Sequence, residues 1–364
     1  MKKMLTIIVI VLLFLSSGIV NKKVFCYSYA QNVGAEDIIN DDVKYITDNV
    51  EYLTATYNKT DWLKNGKVEY PINQTDTEWK ALDNHNEMIK ACVVPDAVLS
   101  VMKTKELIQL LYDYPLLIDM YSYNSLEEGV MHLAEECNIL AELCKREDFS
   151  VELFNERMKH KSVNSYEQFK EKTLIDSLLD SNEVAKIENS FDDVLKGNAI
   201  IALAANSPNL KEIIRVDTIS IGNGKTTKGT VFKYAGKTWA SEQNAEYRKT
   251  YPLATFVSSA DNRYNCHSYA WYKQSTSNIH WIFDPIDFTK SGLYNKVKNA
   301  KIGYKIEYVK DINTSKEKTI HSGIVTNTNN LTVESKWGTG PLMIHKAGYC
   351  PYTSGISYKY YQKK

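Results

Sequence analysis

The sequence has no excess of either charge and no spacing typical of a zinc site. Its 364 residues contain 44 Lys and Arg and 44 Asp and Glu, so the formal net charge is zero. It has no basic run interleaved with aromatic residues, and we expect no nucleic-acid partner because phosphate binding depends on clustered positive charge. The six cysteines and seven histidines form no Cys-x-x-Cys or His-x-x-x-His pair. We therefore predict no metal and no cofactor.

The first residues have the composition of an export signal. Met1-Lys2-Lys3 is positively charged, and an apolar run of 16 residues follows from Leu5 to Val20. That run is shorter than the about 20 residues of a membrane-spanning helix and suits a signal peptide. Ser28-Tyr29-Ala30 fits the small-x-small cleavage pattern, which predicts a signal peptide over residues 1–30. We expect a secreted protein with no membrane span after cleavage, and an uncleaved anchor is the alternative.

Helical patterns dominate the sequence between residues 31 and 205. Apolar residues recur at helical spacing in several pieces of roughly 15–20 residues, without a clean repeat period. Thr104 is a candidate cap for one helix, which Pro115 breaks. Ser125, with Glu128 three residues on, has the pattern of a capping box for another. We predict that the first domain, residues 31–205, is a helical bundle or layered array.

The pattern changes to β-prone runs after the loop ANSPNL. Gly-Asn-Gly at 222–224 separates two such runs, which predicts a hairpin. The stretch GNGKT resembles a phosphate loop but lacks the upstream glycine of that motif, so we interpret it as a turn. One short helix, from Cys266 to about Gln274, precedes further strands of an antiparallel sheet. We predict an α+β fold with a second domain over residues 206–364.

The stretch YNCHSYAWY, residues 264–272, contains the cysteine on which the functional prediction depends. If Cys26 is removed with the signal, five cysteines remain, and an odd number leaves at least one thiol unpaired. Asn265 can cap the helix, which puts Cys266 in the first turn, where the helix dipole lowers a thiol pKa. Free N–H groups there could stabilise an oxyanion. A buried structural thiol and a disulfide with Cys350 are the alternatives.

A thiol nucleophile needs a base, and the strand-like stretch TIHSGIVTN supplies His321. We expect the next side chain, Ser322, on the opposite strand face. Glu334 follows on the next strand and could hydrogen-bond the imidazole and fix its tautomer. Lys336 shares a strand face with Glu334 because strand side chains alternate. His345 is a second candidate for the orienting residue.

These segments together resemble one family of bacterial enzymes. Asn-Cys-x-Ser-Tyr-Ala-Trp at a helix start, His-Ser-Gly-Ile-Val on a strand and an acidic residue on the next strand are similar to the NlpC and CHAP group. That group comprises papain-like cell-wall hydrolases and amidases. The resemblance implies a papain-like domain with Cys266 as nucleophile, His321 as base and Glu334 as the third member. Some CHAP domains carry Asn two residues beyond the acidic residue, where this sequence has Lys336.

Four residues are candidates for contact with the substrate or the oxyanion: Tyr264, His267, Lys336 and His345. The resemblance implies an exported, cell-wall-associated cysteine hydrolase, a thiol protease or amidase of a Gram-positive bacterium. Its partner is a peptide substrate, and we expect the amide bonds of peptidoglycan. A catalytically inactive secreted binding protein is one alternative, and a thiol acyltransferase or deamidase is another.

Overall fold

A computed structural model describes residues 62–64, 67–160, 162–179 and 210–364. The predicted signal peptide and the predicted domain boundary lie outside these residues. A small hairpin of β1 (Leu63–Lys64) and β2 (Lys67–Val68) precedes a helical region. The helices of that region are α1 (Thr77–Ala81), α2 (His85–Ala91), α3 (Asp96–Val101), α4 (Thr104–Tyr112), α5 (Leu126–Glu136), α6 (Asn138–Leu143), α7 (Phe149–Lys159) and α8 (Tyr166–Leu179). A 3-10 turn, Leu117–Ser122, lies between α4 and α5.

Polar side chains at the helix starts explain where several helices begin. The Ser125 hydroxyl oxygen accepts from the backbone N–H of Glu128 at 2.9 Å, which confirms the predicted cap of α5. The prediction for Thr104 is wrong: Thr104 is the first residue of α4, and Lys103 precedes it as the cap. The Thr104 hydroxyl instead donates to Asp148 at 2.6 Å. This hydrogen bond ties α4 to the start of α7.

The second region is built on antiparallel strands. Its elements are β3 (Ile213–Gly222), β4 (Lys225–Phe232), α9 (Lys237–Thr250), β5 (Thr255–Ser258), a π-helix (Ser268–Tyr272), α10 (Ile286–Thr289), β6 (Tyr294–Val297), β7 (Lys305–Lys310), β8 (Lys318–Asn327), β9 (Thr332–Lys336), β10 (Leu342–Lys346) and β11 (Ile356–Lys363). Seven of the strands form one sheet in the order β5-β10-β9-β8-β7-β11-β6. The predicted hairpin is confirmed, since β3 and β4 pair across a turn that contains Asn223 at φ 51°.

Strand β8 positions the candidate site because its two faces meet different parts of the molecule. Ser322 and Ile324 face the helical segment that begins at Cys266, whereas His321 and Val325 face the larger core. Strand β9 pairs with β8 from Ile324 onward. Within the residues that the structure covers, the earlier part of β8 pairs only with β7. Backbone pairing between β8 and β9 therefore does not extend to Ser322.

The helical region and the sheet share one buried cluster, which includes Trp79 of α1 and Val333 of β9. Polar contacts cross the same boundary: the Trp79 indole donates to the Thr250 carbonyl oxygen at 2.9 Å, and the Tyr251 hydroxyl donates to Asp119. The mixture of helices and antiparallel strands confirms the α+β prediction. The division into two domains stays a prediction. In the part of the chain described here, no helix has the length and apolarity that crossing a bilayer requires.

Candidate active site

Asn265 fixes the start of the segment that carries the cysteine. Its buried side-chain oxygen accepts from the backbone N–H of Ser268 at 3.1 Å and of Ile282 at 3.2 Å, and its amide donates to the Ile282 carbonyl oxygen at 2.7 Å. The predicted cap is confirmed. The segment is shorter than predicted, because it ends at Tyr272 and is largely π-helical. Such widened turns are frequent at functional sites.

Cys266 lies in the first turn of this segment, and its side chain is 2% exposed. The backbone N–H groups of Ser322 and His267, and the charge of Lys336, lie near enough to the sulfur to favour the thiolate. Burial nevertheless raises the pKa of the Cys266 thiol to about 12, because desolvation penalises the thiolate more than these groups favour it. The predicted lowering of this pKa is therefore wrong.

The disulfide alternative does not occur in the structure. Cys266 and Cys350 are both free and buried, as are Cys92 and Cys137, while Cys144 is free and partly exposed. The Cys350 thiol donates to the Ala347 carbonyl oxygen at 3.3 Å. Cys266 thus remains an unmodified thiol.

His321 lies on β8 between aromatic rings and is 0% exposed. Its ring stacks on Tyr352, with centroids 3.7 Å apart and planes at 11°, and it contacts Tyr308 at 5.0 Å. Neither ring nitrogen has a hydrogen-bond partner among the described residues, so the Cys266–His321 hydrogen bond of a catalytic dyad is not formed. Burial lowers the pKa of His321 well below its usual value, and two neighbouring imidazoles add to the effect. His321 is therefore neutral.

Tyr352 lies between the predicted nucleophile and the predicted base. Its ring stacks on His321. Burial is the largest cause that raises the pKa of the Tyr352 hydroxyl. The second cause is the charge that a thiolate at Cys266 would carry. The two predicted side chains are thus neighbours of one tyrosine, although they are not bonded to each other.

Ser322, the residue after His321, ties β8 to the cysteine segment. Its hydroxyl oxygen accepts from the Trp271 indole at 2.9 Å and is hydrogen-bonded to His267 Nδ1 at 2.8 Å. The expectation that Ser322 faces away from His321 is confirmed. Burial lowers the pKa of His267 to about 3, so this ring is neutral and packs between the segment and the sheet. The structure gives His267 a structural contact with the strand.

Glu334 does not orient His321. The Tyr269 hydroxyl donates to a Glu334 carboxylate oxygen. The register pairs Glu334 with Ile324, so these two side chains share a strand face. His321 is three positions from Ile324 and lies on the opposite face. The prediction for Glu334 is therefore wrong, and its carboxylate instead ties β9 to the cysteine segment.

Lys336 and Tyr264 form a buried pair beside the cysteine. The Lys336 ammonium donates to the carbonyl oxygens of Asp261 at 2.8 Å and of Gly338 at 2.7 Å, and it lies 4.8 Å from the Tyr264 ring centroid. Burial lowers the pKa of Lys336 to about 7. The place of Lys336 near an oxyanion stays a prediction.

His345 is held by other partners than His321. Its Nδ1–H donates to the Lys346 carbonyl oxygen at 2.8 Å, so its Nε2 accepts from the Ser335 hydroxyl at 2.7 Å. Burial lowers the pKa of His345 to about 4, and the ring is neutral at pH 7. The structure does not bring His345 into hydrogen-bond contact with His321, and its predicted orienting role is wrong here.

The contacts of two residues that shape the site could not be predicted from the sequence. Tyr352 is one of 25 tyrosines, and nothing in its neighbourhood distinguishes it. Ser322 was recognised only by its strand face, whereas its bonds to the cysteine segment depend on how that segment packs on β8.

Comparison of the chain with protein-family models, with curated proteins and with solved structures found no match. In the residues that the structure describes, no three His, Cys, Asp or Glu side chains are grouped so as to hold a metal ion. The functional argument therefore depends on the geometry around Cys266 and on the family resemblance of its sequence segments.

Proposed function

We propose that this chain is an exported cysteine hydrolase with a papain-like catalytic domain, in which Cys266 is the nucleophile and His321 the base. One observation carries the proposal. Cys266 occupies an Asn265-capped first turn, and the backbone N–H of Ser322, the residue after His321, lies near enough to its sulfur to favour the thiolate. Backbone N–H groups at such a position stabilise a thiolate and an oxyanion. The proposed substrate is an amide bond of peptidoglycan.

The proposed reaction requires the His321 imidazole to leave its stack on Tyr352 and reach the Cys266 sulfur, because the two side chains are not hydrogen-bonded in the structure. Neutral His321 takes the thiol proton, and the Cys266 thiolate attacks the amide carbonyl carbon. Backbone N–H groups at the segment start hold the negative oxygen of the tetrahedral intermediate. The carbon–nitrogen bond then breaks, and protonated His321 gives its proton to the leaving amine. Water cleaves the thioester and regenerates the thiol.

The direct test is digestion of purified muropeptides, measured as the release of new free amino groups. Wild type is expected to release them, whereas Cys266→Ala and His321→Gln fall to background. Cys350→Ala is the matched control, because Cys350 is an equally buried free thiol without a capped turn. Equal release by wild type and Cys266→Ala would contradict the proposal.

A non-catalytic binding protein is the second candidate. Two observations favour it: Cys266 and His321 are not hydrogen-bonded to each other, and both side chains are buried. In that case muropeptides bind equally to wild type and Cys266→Ala, and neither protein releases amino groups.

A further inference from the structure

A short piece of the chain's own helical region lies against the capped turn that carries the candidate thiol. This covering segment, Tyr121–Asn124, comprises the last two residues of the 3-10 turn and the two residues after it, and Tyr123 within it is extended at φ −93° and ψ 171°. Three of its four residues are buried. It comes from the helical region, where Tyr123 stacks on His132 of α5, and it also has partners in the sheet region and at the start of the cysteine segment.

Three of the four backbone carbonyl groups of the covering segment accept hydrogen bonds from the second region. The Tyr121 carbonyl oxygen accepts from both the backbone N–H and the hydroxyl of Thr339, each at 3.1 Å. The Ser122 carbonyl oxygen accepts from the Tyr352 hydroxyl, which also lies close to Cys266. The Asn124 carbonyl oxygen accepts from the Lys211 ammonium. Successive binding of main-chain groups is how proteins hold a peptide ligand.

The Asn124 side chain reaches the capped turn itself. Its oxygen accepts from the Asn265 amide at 2.9 Å, and its amide donates to the Phe283 carbonyl oxygen at 3.3 Å. Asn265 is the residue that caps the turn of Cys266. A peptide passing the sulfur at the start of this turn would therefore meet Asn124 in its path.

The groove is shaped to admit a backbone at close range. A Cβ added to Gly338 would lie 2.4 Å from both the carbonyl carbon and the carbonyl oxygen of Ser122. Gly338 also has φ +52°, a region that favours glycine. Absence of a side chain at Gly338 thus permits main chain to lie directly against this surface.

We propose that the surface beneath Tyr121–Asn124 is the peptide-binding groove of the Cys266 site, and that the covering segment occupies it in the resting protein. The ligand class is a peptide whose carbonyl groups meet Thr339 and Tyr352 and whose carboxamide side chain meets Asn265. The role of this groove in catalysis rests on the proposed function. Its occupation by the covering segment does not, because that concerns access to the thiol alone.

The test measures alkylation of Cys266 by iodoacetamide in the full chain, located by peptide mass mapping. Asn124→Ala removes two hydrogen bonds of the covering segment, and we expect alkylation about 10- to 30-fold faster than in wild type. Asn138→Ala is the matched control: Asn138 is equally half-buried and makes two hydrogen bonds to Val94, but it lies away from the segment. Its alkylation rate is expected to equal that of wild type.

Thr339→Val provides a second variant, because it removes only the hydroxyl bond to Tyr121. We expect a rise in alkylation of about 3- to 10-fold, smaller than for Asn124→Ala. Thermal unfolding of each variant identifies any that fails to fold. Unchanged alkylation in both folded variants, or an equal rise in Asn138→Ala, would overturn the occupied groove.

A synthetic peptide of residues 119–126, DMYSYNSL, tests whether the groove binds peptide. Added to Asn124→Ala at millimolar concentration, it should slow Cys266 alkylation by competing for the opened groove, and a scrambled peptide should not. Equal effects of the two peptides would refute peptide binding. If Asn124→Ala opens the thiol but releases no amino groups from muropeptides, the hydrolase proposal fails and the groove stands.

Discussion

Replacing His321 by phenylalanine should make the protein more stable, although histidine is the native residue. The His321 ring is buried, and neither nitrogen is hydrogen-bonded within the described chain. An unpaired buried polar group costs about 1–3 kcal/mol. Phenylalanine keeps the stack on Tyr352 and removes both polar atoms, while its slightly larger ring costs about 1 kcal/mol in packing. Because two unpaired atoms are removed, we expect His321→Phe to raise the free energy of unfolding by about 1–5 kcal/mol at pH 7.5.

The gain should grow as the pH falls. The pKa of His321 in the folded state lies well below 6.5. Below pH 6.5 the unfolded histidine therefore binds a proton that the folded one does not, and wild type loses about 1.4 kcal/mol of stability per pH unit from this group. Phenylalanine does not titrate. Between pH 6.5 and pH 5 the difference between the two proteins should widen by about 2 kcal/mol.

Urea unfolding at about pH 7.5 and about pH 5, followed by circular dichroism, measures both effects. His85→Phe is the control with the opposite expectation. The His85 nitrogens are bonded to Thr353 and to Asp119, each at 3.0 Å. Replacing His85 by phenylalanine leaves the Asp119 carboxylate without its imidazole partner and should lower the free energy of unfolding by about 3 kcal/mol or more. The reasoning is refuted if His321→Phe is less stable than wild type at both pH values, or if the difference does not widen on acidification.

Three further predictions concern the surroundings of the cysteine. Asn265→Ala should lower the free energy of unfolding by about 2–4 kcal/mol, because a buried amide with four hydrogen bonds is lost; urea unfolding at neutral pH checks this, and a loss below about 0.5 kcal/mol would argue against it. Gly338→Ala should cost about 2 kcal/mol or more, since the new Cβ meets the Ser122 carbonyl group at a positive φ; an unchanged thermal midpoint would contradict the close approach. The depressed pKa of Lys336, about 7, means that the unfolded lysine binds a proton the folded one lacks between pH 7 and about 10. The free energy of unfolding of wild type should therefore rise, relative to that of Lys336→Met, by about 1.4 kcal/mol per pH unit in that range. Urea unfolding of both proteins at about pH 7.5 and about pH 9 measures this, and an equal difference between them at the two pH values would refute the burial effect.

Local sequence patterns predicted the parts of the fold that depend on contacts between residues close in sequence. Ser125 with Glu128 identified a helix start, and Gly-Asn-Gly identified the hairpin turn, because each works through contacts within a few residues. Asn265 was found for the same reason. Thr104 shows the limit of such patterns, since its hydroxyl bonds Asp148, which is distant in sequence.

The candidate site depended on contacts that no local pattern specifies. The face assigned to Ser322 followed from strand alternation, but the position of Glu334 followed from the register of β8 and β9, which pairs it with Ile324. The thiol pKa was predicted from the helix start alone. Burial reverses its direction. The surroundings of this turn are partly long-range, since Asn265 is hydrogen-bonded to Asn124, more than a hundred residues earlier in the sequence.

The central claim is that the Cys266 sulfur forms a covalent acyl intermediate with an amide substrate. Brief incubation of Asn124→Ala with muropeptides, an acid quench and peptide mass mapping measure that intermediate directly. The account predicts an acyl adduct on Cys266 that hydroxylamine removes, and no adduct on Cys350. Absence of any adduct on Cys266 while amino groups are released, or an adduct on another cysteine, would contradict it.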